Sequence, residues 1–336
     1  MADFLVTGST TGVHSFRVAA GVLTYLHSER SSLLVKDIWS DGTFIYAACG
    51  VDGLRTFSID GGGNLTLLDV EDTYCIDGNG VWGDGTYIYV AGGTAGIQSF
   101  TVDAAGLITW VDDQDDAGNA EKVWGDGTYI YLANGDTGIA SYSQIAGIMS
   151  QENTNDRGDY AWSLASDGTF IFLANDAGGL CTFTVAAGVF TYKNVHDPGD
   201  VSYGVCCADG IIYCANGAGG LFSYTVDVNG ALTNVDSDYQ DGTYYDCFAL
   251  ASYVYVNCGA GGVKVYSDDG IGNLTYEGAH TYKMGTAQGK PILDAMTVPD
   301  LVFNSAEQQN TQIFDAAGNS HWRGAVKITY SVGDLA

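Results

Sequence analysis

The chain of 336 residues carries 12 Lys and Arg against 40 Asp and Glu, a formal net charge of −28 at pH 7, and 46% of it is hydrophobic. That apolar fraction excludes a disordered chain, and the negative excess excludes a phosphate-backbone partner such as nucleic acid. No run approaches the roughly 18 consecutive apolar residues of a membrane helix, so no membrane insertion is expected.

Of the acids, 34 are Asp and 6 are Glu. Asp favours turns and caps, so the charge belongs in loops. The 47 Gly and 3 Pro agree with many tight turns. Met1-Ala2-Asp3-Phe4 lacks the basic and apolar regions of a secretory signal, so a cytoplasmic or virion-associated location is the expectation.

In chain order, Phe4–Thr7 reads as a strand that enters a unit midway, and Val13–Phe16 as the strand after it. From there the chain repeats itself. Asp41-Gly42-Thr43-Phe44-Ile45-Tyr46 returns from Asp84, Asp126 and Asp167, more weakly from Asp209 and near Ala251, at spacings of 43, 42, 41, 42 and 42 residues. That period belongs to propeller blades of four strands, none of which buries its faces alone.

Each unit has a short inner strand ending at the Asp-Gly turn, such as Glu121–Trp124. An aromatic and β-branched strand follows, such as Tyr87–Val90, then a Gly-rich turn. The third strand reads apolar, spacer, Ser/Thr, aromatic, as in Ile97-Gln98-Ser99-Phe100, and a second Gly turn leads to an outer strand such as Leu65–Leu68. Middle strands apolar on both alternations fit sheets covered on both faces.

Seven third strands precede residue 270, which predicts an all-β, seven-bladed propeller of four-stranded blades. Pairing of the N- and C-terminal strands is expected to close the ring and remove its edges, with Pro291–Val298 as the missing inner strand. Eight blades is the alternative count, since Leu301–Asn304 and Gln312–Asp315 echo second and third strands. The expected division is a propeller over 1–299 and a C-terminal β extension or closing strands over 300–336. The extension's alternating Ala325–Tyr330 is suited either to the ring or to pairing with another subunit.

The segments Phe100-Thr101-Val102-Asp103-Ala104-Ala105-Gly106-Leu107-Ile108-Thr109 and Tyr224-Thr225-Val226-Asp227-Val228-Asn229-Gly230-Ala231-Leu232-Thr233 resemble the repeat of lactonase-type seven-bladed propellers and the related YVTN and LVIVD repeat proteins. The resemblance covers about residues 4–298 and implies the fold. Its members include enzymes, adhesins and scaffolds. The lactone-hydrolysing ones use Glu, His and Arg at the ring mouth, for which His196, Glu152 and Arg157 are the candidates here.

The resemblance also places the links between blades on the face of the second-to-third-strand turns. These links are acidic, a rim that attracts cations, amines or basic partners. Calcium takes six to eight oxygens from Asp-rich loops, and the candidate ligands are Asp236, Asp238 and Asp241, with Asp112, Asp113, Asp115 and Asp116. Arg157, Lys122, Lys283 and Lys290 read as solvated mouth-side cations. Five of the eight Cys fall in strands as reduced core thiols, with Cys49, Cys75 and Cys258 in loops. Trp39, Trp82 and Trp124 recur at one register and read as a packing ring between blades.

The expected function is a non-catalytic interaction or structural protein. A phage virion or cell-surface appendage component fits, presenting its acidic face to an assembly partner and forming oligomers through 300–336. The alternatives are a lactonase-like hydrolase at the ring mouth and a calcium-dependent protein binding a cell-surface glycan.

Overall fold

The computed structural model describes residues 2–9, 12–19, 22–29, 35–115, 117–250, 252–258, 263–280, 296–297 and 325–330. Among them every regular element is a strand. The strands form seven antiparallel sheets, the blades of a seven-bladed β-propeller. Blade 2 runs from inner to outer edge through Asp37–Ser40, Ile45–Ala48, Leu54–Ile59 and Leu65–Glu71. Blades 3 to 7 repeat that order over 80–114, 122–155, 163–196, 204–238 and 246–280.

Blade 1 is closed, as expected, by pairing of N- and C-terminal strands, but through a different C-terminal segment. Its second, third and outer strands are Ala2–Ser9, Gly12–Ala19 and Val22–Glu29. The inner place is taken by Ala325–Tyr330, with Ala2 opposite Tyr330 and Thr7 opposite Ala325. Pro291–Val298 is therefore not the inner strand. Its described residues, Met296 and Thr297, pair with Leu23 and Val22 at the opposite, outer edge. The segments 301–304 and 312–315 lie outside the described residues. An alternating strand fits any open edge, and pairing decides which one it takes.

The repeated motif has a local cause. Asp41 Oδ1 accepts the amides of Thr43 and Phe44 at 2.7 Å, and Oδ2 accepts the Tyr46 hydroxyl at 2.7 Å. Asp84 and Asp126 do the same for Thr86, Tyr87 and Tyr89, and for Thr128, Tyr129 and Tyr131. One carboxylate thus closes the turn and pins the second strand's buried aromatic.

Packing lies between blades rather than within them. One apolar cluster joins Tyr131 and Ile139 of blade 4 to Leu164, Ile171 and Phe183 of blade 5. Another joins Phe172 and Leu180 to Ile212, Cys214 and Tyr224 of blade 6. A third joins Tyr213 and Leu221 to Val254 and Tyr266 of blade 7. The tryptophan register serves the same purpose. A Cβ on Gly83 would lie 2.6 Å from the Trp39 ring, and one on Gly125 would lie 2.5 Å from that of Trp82. All eight cysteines are free and buried, including Cys49, Cys75 and Cys258.

Polar clamps also cross the six seams from blades 1 and 2 to blades 6 and 7. The third-strand hydroxyls of Ser15, Thr56, Ser99, Ser141 and Ser223 donate to the carbonyls of Gly63, Gly106, Gly147, Gly188 and Gly272 in the following blade. On the outer strands His27 Nδ1, Asp69, Asp112, Asn153, Asn194 and Asp236 accept the amides of Leu65, Ile108, Met149, Phe190, Leu232 and Leu274.

In blades 2 to 6 the turn after the second strand also reaches the next blade, through bridges such as Gly50 with Gly78 and Gly93 with Ala120. These turns and the acidic links therefore share one face. Gly96 shows how closely the chain approaches itself there. Its φ is +73°, and a Cβ would sit 2.1 Å from the Gln114 carbonyl, a place for glycine alone.

Candidate functional site

At the acidic face the residue just before the inner strand of blades 2 to 7 looks onto the ring axis. In blade order it is Lys36, Asn79, Glu121, Trp162, Tyr203 and Tyr245. Each holds the same backbone register, its amide donating to Ala48, Ala91, Ala133, Ala174, Ala215 or Asn257 in the second strand. Together with Asp77, Asn119, Asp246 and Asn257 they line a cavity of about 270 Å³. The scaffold repeats at this register while the side chains change from blade to blade.

The wall has two halves. Along one, aromatic rings follow one another, Trp162 and Tyr203 at 5.4 Å between centroids and Tyr203 and Tyr245 at 5.4 Å, while Tyr160, outside the lining, lies 4.3 Å from Trp162. Along the other, polar groups bind each other. Lys36 Nζ donates to Asp77 at 3.0 Å and to Asn79 at 2.5 Å, and Asn79 donates to the Ala120 carbonyl. Glu121 Oε1 accepts from Asn119 at 2.6 Å and from the Tyr160 hydroxyl at 2.5 Å.

One step deeper stand the first residues of the inner strands, Asp37, Gly80, Lys122, Ser163, Gly204 and Asp246. Lys122 Nζ reaches from blade 4 to Asp37 Oδ2 of blade 2 at 2.5 Å, with both side chains almost wholly buried. It passes blade 3 because Gly80 has no side chain, a Cβ there lying 3.0 Å from the Lys122 Cα. Lys122 is therefore an interior ion pair and not the solvated cation expected from sequence.

Gly204 makes room in the same way, its would-be Cβ lying 2.7 Å from Asp246 Oδ1. Asp246 is 8% exposed and accepts the Cys247 amide through Oδ1 at 3.0 Å. Burial, with a smaller contribution from Asp37, pushes its carboxyl up to about 8, so that at neutral pH it holds its proton.

The sequence candidates sit elsewhere. Glu152 lies on the outer strand of blade 4 and accepts from Ser143. Arg157, in the following link, covers the Tyr192 ring at 3.8 Å. His196 ends the outer strand of blade 5 against Tyr224. None lines the cavity.

Asp112 and Asp236 are clamps between blades, Asp115 accepts the Ala117 amide, and Asp238 accepts from Gln240 Nε2. Asp113 is exposed on its outer strand, the Asp241 side chain is exposed as well, and Asp116 lies outside the described residues, as do Lys283 and Lys290. In the loop before blade 7 the main-chain carbonyls of Gln240 and Asp241 accept the Lys264 ammonium. Among the described residues no three His, Cys, Asp or Glu side chains gather as a metal-binding group.

The cavity register escaped sequence reading, although a signal was there. It lies five residues before the Asp-Gly turn in blades 2 to 5, and six before the corresponding residues 209 and 251 in blades 6 and 7.

No protein-family model matches the chain, and no curated protein sequence does. Solved structures do match. A 6-phosphogluconolactonase-like protein of Bacteroides fragilis is 19% identical with a TM-score of 0.69, over 82% of this chain and 93% of that one. Sqt1 of Saccharomyces cerevisiae is 9% identical with a TM-score of 0.66, over 97% and 93%. BamB of Moraxella catarrhalis is 12% identical with a TM-score of 0.57, over 78% and 81%. At these identities the likeness is one of fold, and folds of this kind host unrelated functions.

Proposed function

We propose that the protein is a non-catalytic binding propeller that receives one small group of a ligand or partner in the cavity at its acidic face. The observation that carries this reading is the single register of Lys36, Asn79, Glu121, Trp162, Tyr203 and Tyr245, which converts a repeating scaffold into one asymmetric cavity. Concave sites with aromatic walls and a few placed polar groups are where small ligands bind.

Hydrolysis would need a nucleophile and a base within hydrogen-bond reach of each other. The lining contains no Ser, Cys or His among the described residues, and Glu121 is already engaged by Tyr160 and Asn119.

Thermal-shift screening of the full chain against ammonium compounds, neutral sugars, lactones and organic phosphates tests the reading, with NMR of each stabilising compound after incubation. Stabilisation should be lost in Trp162→Ala and Tyr245→Ala. It should persist in Val228→Ala, a residue 93% exposed in a hairpin at the opposite face. A compound recovered chemically changed, or bound equally by the cavity variants, would overturn the proposal.

A further inference from the structure

We infer that the arc of Trp162, Tyr203 and Tyr245, closed by Asp246, binds an organic ammonium group, an assignment that rests on the binding function proposed above. The arc has the shape of a cage wall. Successive ring planes turn by 62° between Trp162 and Tyr203 and by 46° between Tyr203 and Tyr245, where a flat stack would keep them parallel. Aromatic faces at such angles surround a cation and attract it through their quadrupoles.

Negative charge stands around them. Asp77 and Glu121 line the cavity, and Asp176 Oδ2 accepts the Trp162 indole N–H at 3.4 Å. The two nearby cations are both held: Lys36 by Asp77 and Asn79, and Lys122 by Asp37. The whole chain, at −28, favours the same sign of ligand.

Two features separate a cation from a neutral sugar. The polar half of the wall is spent on its own hydrogen bonds, which leaves few groups to read a row of hydroxyls. By contrast, Asp246 presents a carboxyl to the cavity with its side chain more than nine-tenths buried, Oδ1 accepting the Cys247 amide.

The groups facing Asp246 set its response. They are Asp37 from blade 2 with its partner Lys122 from blade 4, Cys206 from blade 6, Tyr203 and Tyr245 beside it, and Lys36, Asp77 and Glu121 across the cavity. Below about pH 8 the carboxyl is protonated. A bound cation favours the carboxylate, so binding expels a proton and strengthens as pH rises to about 8, then levels off.

Calorimetric titration of the full chain with choline, its neutral isostere 3,3-dimethylbutan-1-ol, and methyl glucoside, at pH 6.5 and pH 9, tests the assignment. Choline should bind at least about tenfold more tightly than the isostere, and several-fold more tightly at pH 9 than at pH 6.5. Its measured heat should vary with buffer ionisation enthalpy at the lower pH, reporting the released proton. Asp246→Asn should abolish the pH dependence. Trp162→Leu should weaken binding at least about tenfold, and Trp162→Phe should restore most of it. Melting curves confirm that each variant is folded, and buffer dependence in the unsubstituted chain supplies the proton test without any variant.

Choline binding no tighter than its isostere, or without proton release, overturns the ammonium assignment. Methyl glucoside binding that depends on Trp162, in place of choline, overturns it while the binding function stands. Chemical conversion of the ligand overturns the binding function itself.

Discussion

Lys122 and Asp37 form an ion pair with almost no access to water, and the two partners are unequal in what their loss would expose. Lys122→Met strands the Asp37 carboxylate in the interior and is expected to cost about 3–5 kcal/mol, read as a lower midpoint in urea. Adding Asp37→Asn removes the stranded charge and should recover most of that loss. A double variant no more stable than the single one would contradict the pairing. Asp246 behaves in the opposite sense. Its folded pKa, about 8, lies above the ordinary carboxyl value near 3.9, so the folded state binds the proton more tightly. Its contribution to stability therefore declines as pH rises from about 4 to about 8, and is flat above. Asp246→Asn keeps an acceptor for the Cys247 amide and lacks that decline. It should exceed the parent in melting temperature at pH 9 by more than it does at pH 5. Equal differences at both pH values would place Asp246 in water.

At the scale of strands, the seams between blades hold the molecule together. Ser99 Oγ donates to the Gly147 carbonyl at 2.7 Å in a buried position. Ser99→Ala leaves that carbonyl unpaired at a cost of about 1–3 kcal/mol, whereas Ser143→Ala removes an exposed contact to Glu152 and should shift the midpoint by less than about 0.5 kcal/mol. Equal effects would show that the seam bonds contribute nothing special. The blade itself was legible in the sequence because its signals are local. Asp-Gly-Thr followed by an aromatic residue closes a turn on its own amides, and both-face apolarity marks strands covered by neighbours. The Ser/Thr of the third strands was visible as pattern, and its role as a clamp in blades 1 to 4 and 6 needed the neighbouring blade. The structural role of Asp112 and Asp236 was hidden for the same reason: a carboxylate that caps another blade's amide carries no mark of that partner in its own segment. The cavity depends on which side chains six separate blades bring to one axis, so its residues carry no local mark beyond their shared offset.

For the whole molecule, closure is the decisive contact. Ala325–Tyr330 supplies the inner strand of blade 1 and pairs along Ala2 to Thr7, so one chain end completes the sheet begun by the other. A repeat ring draws its stability from neighbour contacts, and an unpaired edge is also a site of association. Removing residues 325–336 should therefore lower the melting temperature by more than about 5 °C and promote self-association seen by light scattering. An unchanged melt and a monomeric profile would mean that the strand is dispensable.

The central claim is that one register, contributed by six blades, forms the ligand site. The most direct measurement is anomalous diffraction from crystals soaked in tetramethylarsonium, an ammonium analogue that scatters strongly. A single peak against Trp162, Tyr203, Tyr245 and Asp246 is the predicted result. A cavity free of anomalous signal, with peaks confined to the acidic links, would contradict it.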